Sequence, residues 1–262
     1  MPVPEERIEF TTTIGAHRAL LGMPSSPPPW PAVIVVHTIV GLASVEQRVR
    51  DFAQAGYLAI APDLYTNDAG FAGHDWKMIE AAARMSLGLD DAQREAMLQG
   101  YKPHEREQIL AARTWIGARP TATYFDIVRG CYTYVRERPD VRAIGCIGYC
   151  MGGRLSAELA ASGADLAAAV IYYGPSPKAE SIPNIRCPVE GHYAVTDRGI
   201  TGKVYDFALA MRAAGKSFNY SVYDGAHGFA ERAADVYNAE LAQMADGRSN
   251  AFLAKCLLPT AS

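Results

Sequence analysis

The stretch Val141–Ser156 reads V-R-A-I-G-C-I-G-Y-C-M-G-G-R-L-S. It opens on an apolar run, Ala143–Ile147, of the length expected of a buried strand. Gly148, Tyr149, Cys150, Met151, Gly152 and Gly153 follow, and Arg154–Ser162 then reads as a helix rich in small residues. Strand, G-x-C-x-G, helix is the layout of a nucleophile elbow with cysteine in the place usually held by serine. The glycines have a steric reason: side chains two positions either side of the strained turn would collide with the helix or the neighbouring strand. The helix also points its positive N-terminal end at the thiol, which favours thiolate. The plainer alternative is a glycine-rich turn carrying a buried structural cysteine, and the rest of the chain must decide.

Bulk properties narrow the choice. The 262 residues, 49% hydrophobic, suit a single α/β domain over residues 1–262 with a substantial core. A formal net charge of −3, with no long run of one sign, argues against a nucleic-acid or anionic-membrane partner. The N-terminal M-P-V-P-E-E-R has no apolar signal core, and no stretch reaches membrane-spanning length. Five cysteines at irregular spacing fit a reduced, cytoplasmic protein better than a disulfide framework. Cys146 and Cys150, four apart across a strand and a turn, do not suit a shared zinc, so no metal is expected. Cys131, Cys146, Cys187 and Cys256 read as packing residues.

Outward from the elbow, strands alternate with helices. Ile8–Ile14 and His17–Met23 suggest an opening hairpin with a turn at Gly15. Ala32–Val36 is an unbroken β-branched run, as in a strand buried on both faces, and Ser44–Gln54 then reads as a helix. Tyr57–Ala61 is a further strand. Residues 67–120 are polar and helix-prone, with pieces near Trp76–Met85, Asp90–Leu98 and Glu105–Trp115, and read as a helical excursion or lid over one end of the sheet. Phe125, Val128, Tyr132 and Val135 mark the apolar face of the next helix, with Thr123 and Asp126 as its candidate cap. Past the elbow come strands at Ala167–Tyr173, Pro188–His192 and Phe218–Tyr223, a helix at Val204–Ala214, and a final helix at Asp235–Cys256. This rhythm predicts a mostly parallel central sheet with helices on both faces.

In such a sheet, ligands bind beyond the carboxyl ends of the strands. Four loops there carry reactive groups: 37–41, 148–153, 193–199 and 224–229. Cys150, Asp197 and His227 fall in the order nucleophile, acid, histidine, which is the order of the α/β-hydrolase fold. A histidine can take the thiol proton, and a carboxylate can fix the ring tautomer and stabilise the imidazolium. Asp224 competes with Asp197 for the acid role but sits three residues from His227, where capping or solvating the turn suits it better. The Met151 N–H and one near Ile39 are candidate oxyanion donors. His192 is expected to support the acid loop and His37 to brace the oxyanion loop; His17, His74 and His104 read as ordinary surface or core histidines.

Several segments together resemble the dienelactone hydrolase (carboxymethylenebutenolidase) family: G-Y-C-M-G-G at 148–153, Y-Y-G at 172–174, H-Y-A-V-T-D at 192–197, A-H-G-F at 226–229, P-D-L-Y at 62–65 and H-T-I-V-G at 37–41. The resemblance runs from about Val33 to Leu258. It implies an α/β-hydrolase fold, no cofactor, a Cys150–His227–Asp197 triad, and hydrolysis of an enol lactone to maleylacetate. Tyr172, Thr38 and Arg232 become candidate substrate-binding residues. Two positions depart from the family pattern. Where the family commonly has H-E-I-F-G, with a glutamate that helps switch the thiol to thiolate, this chain has Thr38. The family clamps the substrate carboxylate with arginines; here Arg232 lies one position later than in some members, and Arg94, Arg106 and Arg113 compete for the second place.

The sequence thus points to a cysteine hydrolase of a small lactone or ester. A general carboxylesterase or thioesterase is the rival within enzymes, and a non-catalytic small-ligand-binding scaffold the rival outside them. Oligomeric state is not encoded in any motif.

Overall fold

A computed structural model describes residues 5–85 and 89–258, so the Met1–Pro4 part of the N-terminal reading lies outside it. Strands β1 (Glu5–Thr12) and β2 (Gly15–Gly22) form the opening hairpin. Its turn sits at residues 13–14, with Thr12 opposite Gly15. β3 (Trp30–Val36) leads to α1 (Glu46–Gln54), and β4 (Leu58–Pro62) follows. Then come α2 (Trp76–Arg84), α3 (Asp91–Gln99), α4 (Pro103–Ala118) and α5 (Thr121–Arg136). β5 (Val141–Tyr149) and α6 (Met151–Ala161) make the elbow. The chain continues through β6 (Ala168–Tyr172), β7 (Val189–Ala194), α7 (Arg198–Thr201), α8 (Val204–Ala213), β8 (Phe218–Tyr223) and α9 (Ala239–Leu257).

The described strands form an eight-stranded sheet in the order β1-β2-β4-β3-β5-β6-β7-β8. β1–β2 and β2–β4 pair antiparallel and the rest parallel, the expected mostly parallel α/β-hydrolase sheet. β3 shows why its sequence is apolar throughout. Ala32, Ile34 and Val36 join the core formed with α5, α6 and α8, while Val33 and Val35 join the core formed with α1 and α9. A strand covered on both faces needs apolar residues at both phases of its two-residue period.

Two helix starts differ from expectation. α5 begins at Thr121, directly after Pro120, and Asp126 pairs with Arg129 instead of capping. α9 begins at Ala239, where the Asn238 side chain accepts from the Leu241 N–H; Asp235 pairs with Arg84. Asn and Asp cap equally well, but here the Asn238 side chain makes the capping bond, so it sets the boundary. The 67–120 excursion carries a small core of its own, with Met78, Ile79, Met85, Ile109 and Ala112 packed against Ile39 of the β3 loop. It is thereby fixed over the carboxyl end of the sheet. Among the described residues no helix is long and apolar enough to cross a membrane.

Candidate active site

Cys150 sits between β5 and α6 at φ 55°, a left-handed conformation rare for a side chain other than glycine. The surrounding glycines are needed at this turn. A Cβ on Gly148 would strike the carbonyl of Gly152, and one on Gly152 would strike the carbonyl of Val36. The Cys150 N–H donates to the Tyr172 carbonyl at 3.0 Å, tying the turn to β6.

His227 and Asp197 reach the same place from the loops after β8 and β7. The His227 Nδ1–H donates to Asp197 Oδ2 at 2.5 Å, and the Asp197 side chain is 5% exposed. The two loops are held together by Thr196, whose N–H and hydroxyl both donate to the Gly225 carbonyl. His227 Nε2 is buried, and the group it faces is the Cys150 thiol. Burial alone would raise the thiol pKa. The positive charge of the adjacent His227, the Met151 N–H and the Arg119 guanidinium outweigh burial and lower it. His227 is the mirror case: burial opposes its charge, but Cys150 and Asp197 hold the imidazolium and push its pKa up. The thiols of Cys131, Cys146, Cys187 and Cys256 are all pushed up by burial. Asp224 is exposed on its turn, away from this pair.

The loop after β3 supplies the opposite wall. His37 is buried; its Nδ1–H donates to the Thr38 carbonyl at 2.6 Å and its Nε2 accepts from the Leu64 N–H at 3.2 Å. One donor and one acceptor fix a neutral ring, and burial lowers its pKa further. His37 therefore braces the loop, as do the Tyr65 hydroxyl on the Ile39 carbonyl (2.9 Å) and Ser44, which accepts from the Thr38 N–H (3.2 Å). Between the walls lies a largely apolar cavity of about 290 Å³ lined by Thr38, Ile39, Cys150, Met151 and His227 among others.

Four expectations need correction. Arg232 is 59% exposed and pairs with Asp51, outside the cavity. The loop turns after Gly228, so that Glu231 faces the cavity in its place. Tyr172 is fully buried on the far face of β6, where its hydroxyl meets Asp246 and Ser249; its neighbour Tyr173, at φ 37°, lines the cavity and packs its ring 5.0 Å from His227. His192 does not touch the acid loop: it bonds Tyr223, Glu190 and Ser249 in the same buried network. Arg94 and Arg106 bond carbonyls within the excursion and Arg113 is exposed. The arginines that do line the cavity are Arg84, Arg119 and Arg154. Arg119 lies just past α4, with a guanidinium nitrogen 3.1 Å from Met151 Sδ and its charge over Trp115 at 5.4 Å. Its only sequence signal is a position before Pro120, where a helix is expected to end.

The dienelactone hydrolase family matches residues 17–257. The chain belongs to the dienelactone hydrolase family. It is accordingly a hydrolase of carboxylic ester or lactone bonds. The carboxymethylenebutenolidase of Pseudomonas putida is 27% identical over 241 residues, covering 90% of each chain. Among solved structures, a dienelactone hydrolase-like promiscuous phosphotriesterase from metagenomic libraries superposes with TM-score 0.68 at 18% identity, over 98% of this chain and 99% of that one. The dienelactone hydrolase of Anabaena variabilis gives 0.62 at 15% identity, over 97% and 98%. At these identities, both structures speak for the shared fold.

Proposed function

We propose that this dienelactone hydrolase family member is a cysteine hydrolase acting on a small ester or lactone that is largely apolar around its scissile bond. Cys150, as thiolate, attacks the carbonyl carbon. The N–H groups of Met151 and Ile39 hold the oxyanion, and the carbon–oxygen bond breaks as His227 gives its proton to the leaving oxygen. His227 then takes a proton from water, which attacks the thioester and releases the acid. Asp197 holds the ring throughout. The observation that carries this reading is the meeting of Cys150, His227 and Asp197 from three separate loops, with the one thiol of the five whose pKa is lowered. The largely apolar lining supports a substrate that is apolar next to the scissile carbonyl. In this reading residues 1–262 act as one domain with 67–120 as its lid, and the reduced thiol suits a cytoplasmic setting.

The enol-lactone reaction yielding maleylacetate is the second reading, and Arg119 favours it. Its guanidinium lies beside Met151, where a substrate carboxylate could reach it. The test is turnover of cis- and trans-dienelactones beside neutral p-nitrophenyl esters, by wild type and Cys150→Ala. Neutral esters are expected to turn over faster, and the variant to lose all activity. Activity surviving in a folded Cys150→Ala protein refutes the nucleophile.

A further inference from the structure

Charge is unevenly placed around the cavity. Its charged lining comprises Arg84, Arg119 and Arg154 with Glu80 and Glu231. Arg84 donates to Glu80 at 3.3 Å and to Asp235 at 3.1 Å, and Arg154 donates to Glu158 at 2.8 Å. Arg48, behind the loop, donates to Asp246 and to the Ala230 carbonyl, and Arg232 pairs with Asp51. Each arginine around Glu231 thus donates to another partner, while the Glu231 carboxylate feels the charge of Arg48 and the nearby Ala233 N–H. Next to it, Tyr173 is 1% exposed, lines the same cavity and has a hydroxyl without a hydrogen-bond partner. A buried hydroxyl left unpaired calls for a partner that binds there.

We propose that Glu231 and Tyr173 form a recognition site for an ammonium group carried by the substrate several atoms from the scissile carbonyl, and that Glu231 turns away substrates with a carboxylate in that place. An ammonium gives the carboxylate a counter-charge and the hydroxyl a donor, and the ring faces of Tyr173 and Trp76 accept a cation as well. The inference rests on the Cys150 hydrolase reading. The groups acting on Glu231 are Glu80 from α2, Arg48 from α1, Tyr149 from β5 and Tyr173 after β6, and Arg84 and His227 line the same cavity. Burial, opposed by Arg48 and the Ala233 N–H and aided by Glu80, pushes the Glu231 carboxyl up to about 7. The site therefore gains its charge as pH rises through neutrality.

Three p-nitrophenyl esters of one length test this: 6-aminohexanoate (cation), heptanoate (neutral) and pimelate monoester (anion). The amine stays charged from pH 6 to 8.5. The ratio of kcat/KM for cation over neutral is read across that range, because Cys150 and His227 titrate equally for both substrates and cancel. Glu231 is about a tenth ionised at pH 6 and almost fully at pH 8.5, so the ratio should rise roughly tenfold in wild type. The anion-over-neutral ratio should fall in the same window. Both ratios should be flat in Glu231→Gln, the pH-dependent rise should return in Glu231→Asp, and Tyr173→Phe should lower the cation ratio a few-fold. A wild type that hydrolyses the esters with a flat ratio, equal to that of Glu231→Gln, overturns the recognition site and leaves the hydrolase reading standing. A wild type that hydrolyses dienelactones but none of the three esters overturns this site alone; one that hydrolyses neither overturns the Cys150 hydrolase reading, and this site with it.

Discussion

Alkylation of Cys150 in the free enzyme tests the charge state of the site directly. The thiol lies against His227 and the Met151 N–H, with Arg119 adding a further positive charge, and these overcome its burial to lower its pKa. An ordinary cysteine, with pKa near 8.5, is only about 0.3% thiolate at pH 6, which caps the gain from full ionisation at roughly 300-fold. A thiolate of lower pKa is also a weaker nucleophile, and that loss takes back part of the gain. The expected result at pH 6 is iodoacetamide labelling of Cys150 about ten- to a hundredfold faster than a model thiol. His227→Ala should remove most of that advantage and move the profile towards higher pH. Labelling sites are read by mass spectrometry; Cys131, Cys146 and Cys187 are buried with raised pKa and should lag. A wild-type profile that rises only near pH 8.5 and does not change in His227→Ala would refute the thiolate–imidazolium pair.

Two further outcomes separate the neighbouring assignments. Asp197→Asn should lower kcat by about 10³–10⁴-fold, because the amide supports the wrong ring tautomer, whereas Asp224→Asn should change it less than about twofold; greater damage from Asp224→Asn, in protein with an unchanged melting temperature, would move the acid to the other loop. Arg119→Gln should lower kcat/KM for a carboxylate-bearing lactone about tenfold more than for a neutral ester, while Arg232→Ala should treat the two substrates alike; steady-state kinetics on both substrates check it, and the reverse pattern would restore Arg232 as the clamp.

The parts legible in the sequence are those where local sterics and the larger architecture demand the same thing. G-x-C-x-G can be read because Gly148 and Gly152 leave no room for a Cβ at the turn. β3 can be read because both of its faces are covered. His227 and Asp197 follow from strand order, since each loop after a parallel strand opens on the same edge. What the sequence hides is side-chain direction after a strand ends. Tyr172 and Tyr173 are adjacent, and the left-handed backbone at Tyr173 sends one into the buried network and the other to the cavity. Glu231 and Arg232 differ in the same way, because the positive φ of Gly228 sets the phase of the loop beyond it. Arg119 was invisible for another reason: its partner, Met151, is 32 residues away, and only the docking of the excursion brings the two together.

The Thr38 departure from the family pattern fits an electrostatic account. Cys150 as thiolate is favoured by His227 as imidazolium and by Arg119. A carboxylate at position 38 would add a negative charge beside the thiol, and a like charge there disfavours thiolate until substrate moves it. Thr38 adds no charge; its hydroxyl accepts weakly from the Val40 N–H at 3.4 Å, and its N–H is held by Ser44. The resting site can therefore hold its nucleophile already formed. The cost of this arrangement is exposure to oxidants and alkylating agents before substrate arrives.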